Sequence, residues 1–226
     1  MRLLIVPARS GSQRIKDKNI HNFYGKPMLV HSLEIAKKSK IFDFIHLSTD
    51  SEKYANIAEK FGFKVNFLRK KNLSLNKTPI LEVIKNDCIK FSKLNYKFKE
   101  VCMLTATSPL IRPNDLINMR KIYVKNKKKY PVLTVAEFPG NIERALHLKN
   151  NLLKYINKNH ILKNSQIFSK KYYDTGNAFY YNFEELVNFK NSGFNKLLPY
   201  ILPNYRSVDI NEFADLELCK KLYKVI

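Results

Sequence analysis

The sequence predicts a three-layer α/β/α domain built on a mostly parallel, twisted sheet, and three observations carry that prediction. Apolar runs of strand length alternate with segments whose apolar residues recur at helical spacing. One run, Glu100-Val101-Cys102-Met103-Leu104, is almost continuously apolar, as a strand covered on both faces must be. Several runs empty into short loops of small, polar or cationic residues, and ligands of such sheets bind at the carboxyl ends of the strands.

Taken in order, residues 2 to 7 read as the first strand, followed by a loop, and Pro27 to Ala36 begin a helix with proline in its first turn. Phe44 to Asp50 form a strand with a polar end, residues 52 to 61 a helix, and Lys64 to Leu68 a strand that delivers Arg69. Thr78-Pro79 opens a helix to about Phe91, and the strand Glu100 to Leu104 ends in Thr105-Ala106-Thr107-Ser108-Pro109-Leu110. A helix over about 114 to 126 leads to a strand over Pro131 to Ala136. The loops bearing Arg9, Asp50, Arg69 and Ser108 then share one edge. From about 140 to 172 the chain turns polar, rich in lysine and asparagine, and reads as an inserted arm. The sheet resumes near Thr175 to Tyr181, continues through a short helix at Glu184 to Val187, and reaches Tyr205 to Asn211 before a terminal helix over about 212 to 224. All 226 residues fit a single domain with that arm as its appendage.

Composition narrows the classes. The net charge of +22 comes from 33 lysines and 8 arginines spread along the whole chain, unlike the concentrated, aromatic-interleaved cations of a nucleic-acid binder. The densest run, Lys125 to Lys129, falls at a predicted helix end, where cations suit the helix dipole and stay solvated. No apolar run approaches the ~18 residues of a membrane span and the chain starts directly in a strand, so a cytoplasmic location without membrane contact is expected. Cys88, Cys102 and Cys219 read as reduced core thiols, and the five histidines lack metal-ligand spacing.

The loop after the first strand carries the chemistry. Pro7-Ala8-Arg9-Ser10-Gly11-Ser12-Gln13-Arg14 and Lys18-Asn19 combine small residues, whose amides can approach phosphate oxygens, with three cations that can neutralise a polyphosphate. Neither the Walker pattern nor Gly-x-Gly-x-x-Gly is present. An ordinary strand-to-helix turn would also use glycine and serine, but three cations confined to one loop favour a bound anion.

These motifs, together with Ser48-Thr49-Asp50, Leu68-Arg69 followed by Leu73 and Thr78, Ala106 to Leu110, and Val208-Asp209-Ile210-Asn211, resemble the acylneuraminate cytidylyltransferase family, in family order from residue 3 to about 222. The resemblance implies a Rossmann-like nucleotidyltransferase fold and transfer of CMP from CTP to a nine-carbon 2-keto sugar acid, with release of pyrophosphate. Arg144-Ala145-Leu146, Ser165-Gln166 and Tyr173 to Tyr180 are similar to the pseudaminic acid branch, whereas Thr105 to Leu110 is intermediate between that branch and the sialic and legionaminic acid enzymes. A 3-deoxy-octulosonate cytidylyltransferase is the next alternative, and a basic nucleic-acid-binding module is the non-enzyme one.

By the same resemblance, Arg9 and Lys18 contact the triphosphate, with Ala8, Gly11, Ser12 and Arg14 in the loop around it. Asn19 and Arg69 match positions that read cytosine, and Thr78 and Thr107 border the nucleotide. Asp209 is the expected Mg²⁺ ligand, since Mg²⁺ takes one or two carboxylates beside a nucleotide. The family pattern is Asp-Ile-Asp, and Asn211 replaces the second aspartate. Asp209 could instead cap the last helix, and Asp215 could compensate for the lost charge only if that helix brings it close. Ser165, Gln166, Asp174, Thr175, Gly176, Asn177, Phe179 and Tyr180 are the expected sugar wall, although aromatics there also suit a core strand. The arm resembles the family's dimerisation region, which implies a homodimer.

Overall fold

Alternate side chains of the first strand pack into two different layers, and that requirement organises the whole domain. In β1 (Arg2–Pro7), Leu4 and Val6 face one hydrophobic cluster while Leu3 and Ile5 face another. The computed structural model describes residues 1–189, 194 and 196–225. After β1 come a small antiparallel hairpin, β2 (Asn22–Phe23) and β3 (Lys26–Pro27), then α1 (Met28–Ser39), β4 (Phe44–Ser48), α2 (Glu52–Lys60), α3 (Ile80–Lys93) and β5 (Glu100–Leu104). The chain continues through α4 (Pro113–Lys125), β6 (Val132–Glu137), the arm hairpin β7 (Leu146–Lys149) and β8 (Leu152–Tyr155), β9 (Tyr172–Asn182), α5 (Phe183–Asn188), β10 (Leu198–Ile201) and α6 (Phe213–Val225).

The six-stranded sheet has the order β10-β6-β9-β5-β1-β4. β1 lies parallel to β4 and to β5, and β10 parallel to β6. β9 runs antiparallel to both β5 and β6, so the mostly parallel prediction holds with one reversed strand in the middle. Helices α1, α2 and α4 cover the face reached by Leu4, Cys102 and Tyr180, and α3 and α5 cover the face reached by Ile5, Met103 and Tyr181. A third cluster joins Ile15 of the first loop and Phe23 to Ile210, Leu216 and Cys219, clamping that loop against the C-terminal helix.

Two segments depart from the sequence reading. Lys64 to Leu68 is extended but forms no strand: Lys90 covers it, with Nζ 4.3 Å from the Phe67 ring and donating to Leu68 O at 2.9 Å, and the main chain meets the sheet end only at Arg69 N, which donates to Thr49 O at 2.7 Å. The last strand is Leu198–Ile201, whereas Asn204–Arg206 is a 3₁₀ turn and 207 to 211 are irregular. Arg206 fixes that stretch, donating to Leu110 O from Nε and Nη2 at 3.1 Å and pairing with the buried Asp115. The three cysteines are buried and unpaired, as expected.

The lysine run after α4 is not wholly solvated. Lys128 Nζ reaches the buried Glu100 at 2.6 Å, joined by Arg120 Nε at 3.0 Å and the Tyr180 hydroxyl at 2.7 Å. Burial pushes the Glu100 carboxyl up, but these three donors outweigh it and hold it below its ordinary range. In the arm, Asn150 and Asn151 both adopt positive φ, the conformation a two-residue hairpin turn demands. The arm leaves Leu148, Leu153, Ile156 and Leu162 exposed at 62 to 98%.

Candidate functional site

The loop leaving β1 is anchored at three points, and the anchors aim its cations into one cleft. Asp50, one residue past Thr49 at the end of β4, accepts from Ser10 N and Ser10 Oγ, both at 3.0 Å. Asn19 Nδ2 donates to Arg9 O at 2.8 Å, bracing the loop from its far end. Lys18 Nζ hydrogen-bonds Ile210 O and Arg14 Nη2 donates to Asn211 Oδ1 at 2.6 Å, joining the loop to the segment before α6. The resulting cleft, of about 290 Å³, is lined by Arg9, Ser12, Arg14, Lys18, Asn19, Arg69, Thr78, Thr107 and Asn211 among others.

The fold thus gathers most of the residues that the sequence assigns to a nucleotide. Ala8 and Gly11 are the exceptions. Ala8 is buried, with its amide bound to Ser48 O at 2.9 Å, so it has no group to offer a phosphate. Gly11 is exposed, does not line the cleft, and has open space where a Cβ would sit. Asn19 is placed in the cleft with one of its two N–H donors spent on the Arg9 carbonyl, and its oxygen is an acceptor that can meet a base.

Electrostatically the cleft is lined by cations, with no aspartate or glutamate among its lining residues. Burial pulls the Lys18 ammonium below its ordinary value; Asp209 opposes this, and Arg14 and Arg9 add to it. Burial likewise pulls the Arg69 guanidinium down, against Asp87 and Asp50 and with Arg9. Arg69 is 6% exposed, and its Nε and Nη2 have no hydrogen-bond partner. Its distance to Asp50 Oδ1 is 4.0 Å, beyond hydrogen-bond range. A buried guanidinium with idle donors is costly unless something accepts from it, which makes an acceptor on a ligand the natural complement.

Asp209 is exposed, and its Oδ2 accepts from Asn211 Nδ2 at 2.7 Å. Asn211 therefore bridges Arg14 and Asp209 through the two ends of one amide. Asp215 accepts from Asn211 N and Glu212 N, both at 2.8 Å, so it caps the start of α6 and its Oδ2 does not replace the missing aspartate. Among the described residues no group of three acidic, histidine or cysteine side chains converges as a preformed metal cage.

The expected sugar wall does not line this cleft. Tyr180 is fully buried, bonded to Glu100, so it cannot touch a substrate. Thr175 is buried with its hydroxyl on Thr134 Oγ1 at 2.8 Å, and Phe179 packs into the cluster under α3 and α5. The register of β9 explains this. It bulges opposite Thr134, with Gly176 at φ +66°, so residues 174 to 178 leave the simple alternation. Asp174 Oδ1 accepts from Gly176 N at 2.8 Å within that bulge. Asn177 is buried and ties the bulge to the cleft floor: its Nδ2 donates to Ser108 Oγ at 2.9 Å, and its carbonyl accepts from Thr105 N at 2.9 Å. Gln166 is exposed on the arm, and the side chain of Ser165 lies outside the described residues.

Sequence reasoning missed the apolar wall of the cleft, Leu75 and Ile80, which are 49% and 43% exposed. It also gave no role to Asp50, whose signal was its place at a strand end on the ligand edge.

An α/β domain with a cationic loop at the carboxyl edge of its sheet, a braced asparagine and an idle buried arginine in one cleft defines a nucleotide-binding enzyme. The sequence model of the Cytidylyltransferase family matches residues 3–222, and the chain belongs to that family, as a nucleotidyltransferase. It is 37% identical over 229 residues to a pseudaminic acid cytidylyltransferase of Campylobacter jejuni, covering 99% of this chain and 96% of that one. A CMP-N,N'-diacetyllegionaminic acid synthase of Legionella pneumophila is 25% identical, covering 100% and 97%. The same fold occurs in a CMP:2-keto-3-deoxy-manno-octonic acid synthetase complexed with CTP, with a TM-score of 0.76 at 15% identity over 99% of this chain and 98% of that one.

Proposed function

We propose that this enzyme transfers CMP from CTP to the anomeric hydroxyl of a nonulosonic acid, pseudaminic acid before its legionaminic and sialic relatives, and releases pyrophosphate. The observation that carries the nucleotide half is the gathering of Arg9, Arg14, Lys18 and Arg69 around one cleft whose lining residues include no aspartate or glutamate. The sugar half rests on the 37% identity to a pseudaminic acid enzyme over nearly the whole chain.

In this reading the sugar hydroxyl attacks the α-phosphorus and pyrophosphate leaves from the opposite side. Both reactants are anionic, so charge neutralisation and alignment are the enzyme's main tasks. Arg9 and Lys18 bind the triphosphate and stabilise the departing pyrophosphate, and Ser12 and Arg14 flank it. Arg69 donates to the cytosine carbonyl, the Asn19 oxygen accepts from the base amine, and Thr78 and Thr107 border the nucleoside.

Mg²⁺ fits one exposed carboxylate, Asp209, since an ion that also takes phosphate and water oxygens needs only one or two protein carboxylates. Asn211, the other expected ligand, has its oxygen on Arg14 and its nitrogen on Asp209 and is not such a donor. Asp209 would hold it, and when bound it would supply positive charge to the phosphates. Asn211 keeps Asp209 turned toward Arg14 without adding a second negative charge.

The exposed leucines and isoleucines of the arm support a homodimer, since an apolar surface of this kind is ordinarily covered. The exposed Asp174 and Gly176 of the β9 bulge and Gln166 of the arm would then be the sequence-assigned residues left to complete a sugar pocket at that interface. The test is pyrophosphate release from CTP and Mg²⁺ with pseudaminic, legionaminic, N-acetylneuraminic and octulosonic acids. Release with pseudaminic acid alone or fastest is expected; release with none refutes the reading, and preference for another acid moves the substrate.

A further inference from the structure

The polar atoms buried without a partner are not scattered. Of ten such atoms among the described residues, seven belong to His46, Ser48, Asn66, Arg69 and Asp87. These residues sit on β4, on the extended segment 64 to 69 and on α3, three pieces packed together behind the nucleotide cleft. The His46 ring lies 4.5 Å from Phe67 and 5.1 Å from Phe91, and a cavity of about 120 Å³ opens between Arg69, Asn86, Asp87 and Lys90.

Two acids bear on Arg69, and one of them, Asp50, lies 4.0 Å from its Nη2. Asp50 is spent on the loop, since both its oxygens accept from Ser10. Asp87 is 2% exposed, its Oδ2 has no partner, and it is the strongest charge favouring the Arg69 guanidinium. We propose that Asp87 is a positioning residue: from behind the cleft its carboxylate holds the buried Arg69 guanidinium so that the idle donors face the nucleotide. The proposal rests on the assignment of the cleft to CTP. It explains why a guanidinium can remain buried and under-bonded before the nucleotide arrives: a carboxylate behind it supplies charge without using up its forward donors.

Burial makes Asp87 the group of this compartment that responds to mild acid, against the groups that face it. These are Ser48 from β4, Arg69 from the segment 64 to 69, and Cys88 and Lys90 from its own helix. Burial pushes the His46 ring down to about 3 and the Cys88 thiol well up, so both stay neutral at working pH. Burial pushes the Asp87 carboxyl up to about 6, against Ser48, Arg69 and Lys90.

The test is calorimetric binding of CTP to wild type, Asp87→Asn, Arg69→Ala and the double variant from about pH 5 to about pH 8. Asp87→Asn should weaken CTP about fivefold or more at about pH 8, and should add nothing in the Arg69→Ala background. The ratio of wild-type to Arg69→Ala affinity should fall as Asp87 protonates; titration of the nucleotide's own phosphate is common to both proteins and cancels. Wild-type affinity in Asp87→Asn, or additive losses, overturns the proposal while leaving the CTP site standing. Undiminished CTP binding by Arg69→Ala refutes the role given to Arg69, and the proposal with it. Should Asp87→Asn fail to fold, the affinity ratio alone decides, and a ratio constant with pH overturns the proposal.

Discussion

Replacing Asp87 by asparagine should make the folded chain more stable relative to wild type as the pH rises, and the size follows from linkage. Burial moves the Asp87 carboxyl from its ordinary 3.8 to about 6, so the folded state holds the proton over a range where the unfolded chain has released it. The contribution of Asp87 to wild-type stability should therefore fall through that window and level off above about 6, where the ionised carboxylate is disfavoured in the fold. A shift of this size corresponds to about 3 kcal/mol at ~1.4 kcal/mol per pH unit. The asparagine side chain has no such titration and is nearly the same shape. The difference in unfolding free energy, variant minus wild type, should thus rise by about 3 kcal/mol between about pH 2.5 and about pH 7.5. Urea titrations at a series of pH values measure it, since the gap is large against a total of about 5 to 15 kcal/mol. A difference that is flat with pH, or that falls, refutes the reasoning. A rise accompanied by weaker CTP binding would mark Asp87 as a residue kept for function at a cost in stability.

Other consequences follow from the same geometry. Tyr180→Phe removes a buried hydrogen bond to a charged carboxylate and should cost about 1.5 to 3 kcal/mol while leaving saturated turnover nearly unchanged; a tenfold loss of turnover in a folded variant would return Tyr180 to the site. Lys18→Ala should lower kcat/KM for CTP by about 100-fold with an unaltered circular dichroism spectrum, and a change below about threefold would remove it from the triphosphate clamp. Asn211→Asp places a second carboxylate beside Asp209, so Mg²⁺ should bind more tightly by calorimetry and activity at low Mg²⁺ should equal or exceed wild type; weaker binding contradicts the role given to Asp209. Leu148→Asp with Leu153→Asp should convert the expected dimer to a monomer in light scattering, and a wild-type protein already monomeric would refute the dimer.

The sheet was legible in the sequence wherever both faces are covered. Leu3 to Val6 and Val101 to Leu104 are apolar at every position, and runs this short suit a strand covered on both faces better than a helix. Edges were harder. Lys64 to Leu68 alternates like a strand, yet Lys90 takes the Leu68 carbonyl and no ladder forms. The true edge strand Leu198–Ile201 hides behind Pro199, which an edge position tolerates and a sequence pattern penalises. Tyr180 illustrates the same limit at the site. A bulge in β9 decides which neighbours face the cleft, and its signal, Gly176, also suits an ordinary turn.

By itself the sequence determined the alternation of elements, the cationic loop after the first strand and the kinship with cytidylyltransferases, because periodicity and a compact motif are local properties of the chain. Only the tertiary structure decided which charges meet. Arg14 finds Asn211 across 197 residues, Ser10 occupies both oxygens of Asp50, and Arg69 comes to line one small cavity with Asp87 of α3. Those encounters depend on the path of the sheet and the helices laid over it. Burial then gives them their energy, since a charge removed from water is governed by the few groups that reach it.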